Sequence, residues 1–581
     1  MRRLGWAAIA LGALVLPLLT ANTYYLYVAA TVGLLVIVTA GLNILVGLTG
    51  QISLGHAGFY AIGAYAAALL TTRAGWNPAM AAALAILLAA LVGAGVAAAA
   101  LRVSGPYLAM VTIAFGIIVE GVLIEWVSVT RGPGGIFNIP KPGLLRSYGL
   151  ILASAALALW LVANLRASAW GRAFLAVRAS EVAAESLGLS AYYVRIMAFT
   201  ISAGFAGAAG ALFAFLNGYI SPDSFTLQTS ILFLLALLFG GTGYVAGPVV
   251  GSLIFTLLPE LLTGLADYRL ILYGGLLMLS VYWLPSGVVG ALQQTFPRKR
   301  QTARSQDDPA TEDAGKWPEE PPAADPERPL LHVEGASLSF GGVAALVEVT
   351  LSVPARGITA VIGPNGAGKT TLLNVLSGYY APEAGMVRVG DASVLRRPPY
   401  AIARLGVART FQTAQLFGDL TVLENVAVGV AGPRLGSALS ALLAPPAARR
   451  QERTLLRRAR LLLGAMGLSD WADRPAGALP AGLRRRLEIV RALARRPRLL
   501  LLDEPAAGLS GTEIRELDAD LTALRASGGP AIVLVEHHMD LVMAVSDQIC
   551  VLDYGRVIAS GAPDAVRRHP AVIEAYLGTP A

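Results

Sequence analysis

The sequence predicts a polytopic α-helical membrane domain of about ten spans followed by a water-soluble α/β domain, and three observations predict it. Hydrophobic residues make up 55% of the 581 and charged residues only 14%, against about 25% charged in an ordinary soluble protein. The charges are unevenly placed: residues 1–290 hold 12 of the 45 Lys and Arg and 7 of the 37 Asp and Glu. Apolar runs of about 20 residues, the length that crosses a bilayer, fill that first half, whereas short β-rich runs alternate with helical patterns after Leu330. At roughly 150 residues per domain, a single small module is excluded. The lone Cys550 excludes an intrachain disulfide and a cysteine-cluster metal site. The net charge of +8 does not require nucleic acid, because basic residues beside membrane spans bias topology.

Candidate spans lie near 5–22, 24–47, 55–72, 79–101, 106–128, 149–165, 196–217, 228–242, 246–264 and 270–285. Basic residues mark the side they leave in the cytoplasm: Arg2 and Arg3, then Arg166, Arg172, Arg178 and Arg195, then Arg298 to Arg300. An even number of spans satisfies all three groups, although Arg131, Lys141 and Arg146 sit in the opposite loop. The first twenty residues read as an uncleaved span, because no small-x-small cleavage site follows and another span begins at once. Gly204, Gly207, Gly210, Gly247 and Gly251 have the spacing that lets helix backbones approach, either for static packing or around a pathway. Ionisable groups in lipid are costly, so His56 and Glu120 are pathway candidates and Glu125 a weaker one. The alternative for His56 is a hydrogen-bonded packing histidine.

Residues 293–329 are rich in Pro, Ala and charge without apolar periodicity, which predicts a disordered tether. Its root-mean-square span is roughly 30 to 35 Å. The organisation is thus 1–292 membrane domain, 293–329 linker and 330–581 soluble domain.

In the soluble part, the apolar strand 358–362 leads into Gly363, Pro364, Asn365, Gly366, Ala367, Gly368, Lys369, Thr370 and Thr371, and then into a helical pattern. This is a P-loop in its required strand-to-helix setting. Glycines let backbone amides face phosphate oxygens, and the helix N-terminus adds positive potential. Lys369 is placed to reach the β- and γ-phosphates of ATP and Thr370 to ligate Mg²⁺. From Leu330 onward Lys369 is the one lysine among many arginines, as expected where a compact ammonium suits the site. A second apolar run, 499–502, ends in Asp503 and Glu504. Asp503 would hold Mg²⁺, and Glu504 would orient or deprotonate the attacking water.

With these residues in place, the soluble half resembles the ATP-binding subunit of ATP-binding-cassette (ABC) transporters. The resemblance implies that Phe340 stacks on adenine, that Gln412 is the glutamine-loop residue sensing Mg²⁺ and the membrane partner, and that His537 contacts the γ-phosphate. The tail Ala575-Tyr-Leu-Gly578 is similar to subunits serving branched-chain amino acid uptake. The first 292 residues resemble a permease of that importer group, through strings such as Leu42-Asn-Ile-Leu-Val-Gly47, Leu54-Gly-His-Ala-Gly-Phe59 and Pro222-Asp-Ser-Phe225. In such permeases the segment containing Glu181, Ala183, Ala184 and Gly188 looks like the coupling helix that seats near the glutamine loop.

Two departures matter. The family signature Leu-Ser-Gly-Gly-Gln is matched here by Leu479, Pro480, Ala481, Gly482 and Leu483. The serine hydroxyl is missing, and Pro480 has no amide N–H. Ser510 stands where many relatives carry an aspartate. The Arg-rich stretch 449–460 reads as a solvated helix face.

The resemblance implies a fused permease and ATPase of a branched-chain amino acid importer, multi-pass in the inner membrane with its ATPase domain cytoplasmic. It implies as partners a second permease subunit, a second ABC ATPase subunit, an extracytoplasmic substrate-binding protein and membrane lipid, and no nucleic acid. Import of urea, short amides or other amino acids is the alternative within the class, and a homodimeric ABC exporter the alternative outside it.

Overall fold

The computed structural model describes residues 22–101, 106–261, 282–295 and 328–577, with isolated positions between 262 and 281. The described residues divide into two compact units. One is drawn from Met1–Phe174, Tyr192–Gln301 and Ala438–Ala444, the other from Leu175–Ala191, Thr302–Ser437 and Pro445–Ala581.

Six helices of the first unit's region, among the described residues, are long and apolar enough to cross a membrane: Thr23–Leu48, Pro78–Ala100, Tyr107–Glu125, Leu144–Ala167, Ala191–Asn217 and Pro222–Gly240. Two further expected spans are shorter helices, His56–Thr72 and Gly247–Leu261. The expected span 5–22 lies outside the described residues except for Asn22, and 270–285 is described only in part. Helix starts follow local chemistry. Asn22 and Asn77 each accept an amide of the first turn, and Pro78 occupies the first turn behind Asn77, where a missing N–H costs nothing. The loop expected over 129–148 ends early, because the next helix begins at Leu144 and takes up Arg146.

Asn43, buried among these helices, is paired through both ends of its amide, as burial favours. Asn43 opens a π-helical turn, Asn43–Leu48. Its side-chain amide donates to the Tyr244 carbonyl (2.9 Å), and its oxygen accepts the Gly243 amide (2.7 Å). Two of the glycines singled out above mark backbone contact: a Cβ on Gly210 would lie 1.9 Å from the Tyr60 carbonyl oxygen, and one on Gly251 1.7 Å from that of Ala236.

The second unit holds two sheets. Strands β1 (Leu331–Phe340), β2 (Val343–Val353), β4 (Ala384–Val389) and β5 (Ala392–Ser393) form an antiparallel sheet in the order β2-β1-β4-β5. Strands β3 (Ile358–Ile362), β6 (Val407–Arg409), β7 (Leu499–Asp503), β8 (Ala531–Val535), β9 (Gln548–Asp553) and β10 (Arg556–Gly561) form the other, ordered β10-β9-β3-β8-β7-β6. Its strands are parallel except for the edge strand β10. Every residue of β3, β7 and β8 is buried, which explains their unbroken apolar runs, since a parallel sheet is covered on both faces.

The helix Pro446–Ala465 buries Ala459, Leu462 and Leu463 while Arg449, Arg450, Arg453, Arg457 and Arg460 are exposed. Of the tether expected over 293–329, residues 293–295 belong to the helix Gly287–Thr295 and 296–327 lie outside the described residues.

Candidate active site

The phosphate loop grows out of the centre of the parallel sheet. β3 ends at Ile362, and Gly363 turns with φ 151°, where a Cβ would stand 2.0 Å from the Leu552 carbonyl oxygen. Glycine is therefore obligatory at this turn. Gly368 (φ 97°) precedes the helix Lys369–Leu376 without a side-chain cap, leaving its first amides available to an anion. Lys369 is 6% exposed, and its ammonium donates to the carbonyls of Gly363 (2.7 Å) and Pro364 (2.9 Å). Burial pushes its pKa below the ordinary lysine value, against the opposing pull of Glu504 and Asp503.

β7 lies one strand beyond β8 and delivers both acidic residues. Asp503 is 2% exposed, and its Oδ2 pairs with Arg409 Nη2 at 3.0 Å. Its Oδ1 is buried with no hydrogen-bond partner. Burial raises the Asp503 pKa, while Arg409 works against that shift. Glu504 has φ 46°, a strained backbone for a residue with a side chain. Its Oε2 accepts the Gln412 side-chain amide at 2.8 Å and lies 2.9 Å from His537 Nε2. Gln412 follows β6, Glu504 follows β7 and His537 follows β8, so three consecutive parallel strands bring together residues expected from separate strings.

Four residues of this neighbourhood were not singled out as site residues from the sequence. Arg409 holds Asp503 and also reaches Asn374 and Ser377, each at 2.7 Å. Arg485 donates to carbonyls on both sides of the site: Phe411 (2.6 Å) and Gln412 (3.3 Å) in one loop, Asp503 (3.0 Å), Glu504 (2.5 Å) and Pro505 (3.0 Å) in the other. Its charge is met by Glu488 at 2.7 Å. Glu536 accepts the amides of Ala506 (2.6 Å) and His537 (3.0 Å). The available signal was burial of charge: an arginine ends the apolar run Val407-Ala-Arg409, and Arg485 and Glu488 are spaced i, i+3 in a helix.

The remaining expected positions lie apart. Phe340 ends β1, 44% exposed, edge-on to Tyr380 at 5.0 Å between ring centres. Pro480 is the N-cap of the helix Ala481–Leu493 and supplies no side-chain cap. Glu513 stands against that helix start: a Cβ on Gly482 would lie 2.1 Å from its carboxylate, which accepts the Ser510 amide and hydroxyl, each at 2.8 Å. Ser510 is itself the N-cap of the helix Gly511–Ala526, in a reciprocal capping box with Glu513. The groove beside Gly482 and Leu483 is lined from these two helices and includes no phosphate-loop residue. His56 is fully buried in the first unit, its ring nitrogens each 2.8 Å from a serine hydroxyl, Ser53 and Ser202. Glu120 is half-buried on its helix, near exposed Ile117, Ile118 and Val122.

The segment Glu181 to Gly188 belongs to the second unit. The helix Glu181–Ser186 is capped by Ser180, and Ala183, Ala184 and Gly188 are buried. Tyr379 donates to the Val182 carbonyl (2.8 Å), Arg404 to that of Gly188 (3.2 Å) and Arg495 to that of Leu187. The Tyr379 ring lies edge-on to Phe411 at 6.3 Å, one residue before Gln412. Burial, with Arg404 and Arg434 nearby, lowers the Arg495 pKa to about 10.

A parallel sheet with a phosphate loop after a central strand and an acidic pair after the strand two places along defines the class of P-loop ATPases. Comparison with known proteins refines it. Residues 24–281 match the family described as branched-chain amino acid transport system permease component, 346–507 the ABC transporter family, and 556–581 the branched-chain amino acid ATP-binding cassette transporter family. The high-affinity branched-chain amino acid transport ATP-binding protein BraF of Pseudomonas aeruginosa is 43% identical over 251 residues, 43% of this chain and 98% of the relative. LivG of Escherichia coli K12 has the same identity and coverage. The permease protein LivM of that strain is 34% identical over 291 residues, 45% of this chain and 68% of the relative. A solved nucleotide-free ATP-binding cassette from an ABC transporter is 32% identical over 43% of this chain and 98% of that chain, with a TM-score of 0.38. The chain belongs to the branched-chain amino acid ABC transporter family and carries its permease and its ATPase components in one polypeptide. It is a membrane protein whose second half binds and hydrolyses ATP.

Proposed function

We propose that this chain supplies one permease and one ATPase to an importer that moves branched-chain amino acids across the inner membrane at the expense of ATP. The observation that carries the reading is the convergence of Gln412 and His537 on Glu504 Oε2 in a chain whose other half matches the permease family. Residues 1–292 form the membrane domain, 293–329 the tether and 330–581 the ATPase domain, which is cytoplasmic. Ten crossings account for the six long helices, the two shorter ones and the spans expected at 5–22 and 270–285.

In this reading the amides of Gly363 to Thr371 cradle the phosphates of ATP, and Lys369 exchanges two loop carbonyls for phosphate oxygens. Phe340 stacks on adenine. Asp503 Oδ1, buried and unpartnered, fits a Mg²⁺ ion together with the exposed Thr370 hydroxyl and Gln412. When bound, that ion neutralises charge on the phosphate oxygens. Glu504 accepts the proton of the attacking water, Gln412 and His537 keep its carboxylate aimed, and His537 turns to the γ-phosphate on closure. Gly482 and the degenerate turn Leu479 to Leu483 face a second ATPase subunit. The segment holding Glu181, Ala183, Ala184 and Gly188 transmits closure to the membrane domain, where His56 and Glu120 border the pathway.

A second permease subunit, a second ATPase subunit and an extracytoplasmic binding protein complete the assembly in lipid. The test is uptake into proteoliposomes containing that assembly, loaded with ATP, offering leucine, isoleucine, valine and urea in turn. ATP-dependent uptake of the three amino acids is expected; accumulation of urea alone would overturn the substrate assignment.

A further inference from the structure

The segment Glu181 to Gly188 and the carboxylate of Asp503 lie far apart in sequence, yet within the second unit two side chains connect them. The Tyr379 hydroxyl donates to the Val182 carbonyl at 2.8 Å. The Arg409 guanidinium lies over the Tyr379 ring at 5.7 Å and over the Phe411 ring at 5.2 Å, distances at which a ring face attracts a cation. Arg409 Nη2 then donates to Asp503 Oδ2 at 3.0 Å.

Each link is also held from the side. The Tyr379 amide donates to the Asn374 carbonyl (2.9 Å), and the Asn374 side chain accepts from Arg409 (2.7 Å), so one residue of the helix that opens at Lys369 fixes both. Ser377 accepts a second bond from the same guanidinium nitrogen (2.7 Å). Arg409 is 5% exposed, and its planar fork is bonded at both ends. A displaced Tyr379 ring therefore carries the guanidinium with it or loses its contact. Arg409 occupies Asp503 Oδ2 and leaves the buried Oδ1 unpartnered, which presents one oxygen of the carboxylate to a metal. We propose that Tyr379 and Arg409 are positioning residues through which the segment Glu181 to Gly188 sets the aim of the Asp503 carboxylate, and with it the affinity for Mg²⁺-bound nucleotide.

The inference rests on the reading that Asp503 holds Mg²⁺, so the experiment separates the two. Full-length chain in nanodiscs is titrated with a mant-labelled, non-hydrolysable ATP analogue in EDTA and in Mg²⁺, and the ratio of the two Kd values measures what the metal adds. Tyr379→Phe removes the hydroxyl bonded to Val182 and keeps the ring against Arg409. A neutral hydrogen bond contributes about 1 kcal/mol, a factor of about five, so this variant is expected to weaken binding in Mg²⁺ about twofold to fivefold with Kd in EDTA unchanged. Arg409→Lys keeps the charge but loses the fork, and should reduce the metal effect further. An unchanged ratio in Tyr379→Phe, or equal shifts in EDTA and Mg²⁺, with the metal effect abolished in Asp503→Asn, would overturn the positioning role alone. A metal effect that survives intact in Asp503→Asn would overturn the Mg²⁺ reading beneath it.

Discussion

His537 Nε2 lies 2.9 Å from Glu504 Oε2, and the same oxygen accepts the Gln412 amide at 2.8 Å. One carboxylate oxygen is therefore held by two loops that follow different strands, which leaves Oε1 free of these bonds to face a water. Glu504→Gln keeps the shape of the side chain but removes the base. ATP binding should persist while turnover falls by about 100-fold or more. Single-turnover hydrolysis with the assembled complex checks this, and half the wild-type rate would exclude Glu504 as the base.

Arg409 and Asp503 form a buried pair, each side chain 3% exposed. Removing one partner of such a pair leaves an unmatched charge, at a cost of about 3–5 kcal/mol. Arg409→Met should therefore lower the unfolding temperature of the ATPase domain by several degrees. Arg409→Met combined with Asp503→Asn should recover part of the loss in the same thermal melt. Equal losses in both variants would argue against the pair.

Gly188 has φ 81°, and a Cβ there would stand 2.4 Å from the Arg495 guanidinium. Gly188→Ala should strain the turn by about 1–3 kcal/mol and loosen the carbonyl contacts to Arg404 and Arg495. Uptake should drop while ATP hydrolysis continues. Both are read on the same proteoliposomes, and transport at the wild-type rate would remove this segment from the coupling path.

Glu513 has its carboxyl pKa lowered from 4.5, first by the Ser510 amide, then by the Ser510 hydroxyl and the Gly482 amide. A group with a depressed folded pKa contributes stability above its unfolded value and loses it as the pH falls through the folded one. Glu513→Gln should therefore melt earlier than the wild type at pH 7, and the gap should close on acidification below 4.5. A gap independent of pH would point to lost packing instead of lost charge.

The helix start at Pro480 has neither a serine hydroxyl nor an N–H at that residue, and the Glu513 carboxylate crowds Gly482. A homodimer would pair two such starts with two intact phosphate loops. ATPase activity should be low for the chain alone and rise when a separate ATPase subunit is added. Pro480→Ser with Ala481→Gly should raise the chain-alone rate more than the heteromeric one. Full transport-coupled hydrolysis by a partner-free homodimer would refute this account.

Local pattern made half of this molecule readable. The apolar run of β3, the glycines after it and the helix behind them lie within twenty residues, so backbone geometry alone ties their order to a phosphate loop. Asp503 and Glu504 were legible for the same reason, at the end of β7. Span positions followed from hydropathy, but helix ends shifted where capping decides them, as at Leu144.

By itself, therefore, the sequence determined which segments are apolar enough to enter lipid, which strand carries the phosphate loop and which residue types stand ready for ATP. Tertiary structure alone decided that Arg409 meets Asp503 across 94 positions, that Arg485 ties two loops together and that the Glu513 carboxylate stands against Gly482. Those pairings depend on which strands lie side by side and which helices cover them. Burial then forces each charge or amide to find a partner wherever the fold has placed one, at separations that no local periodicity records.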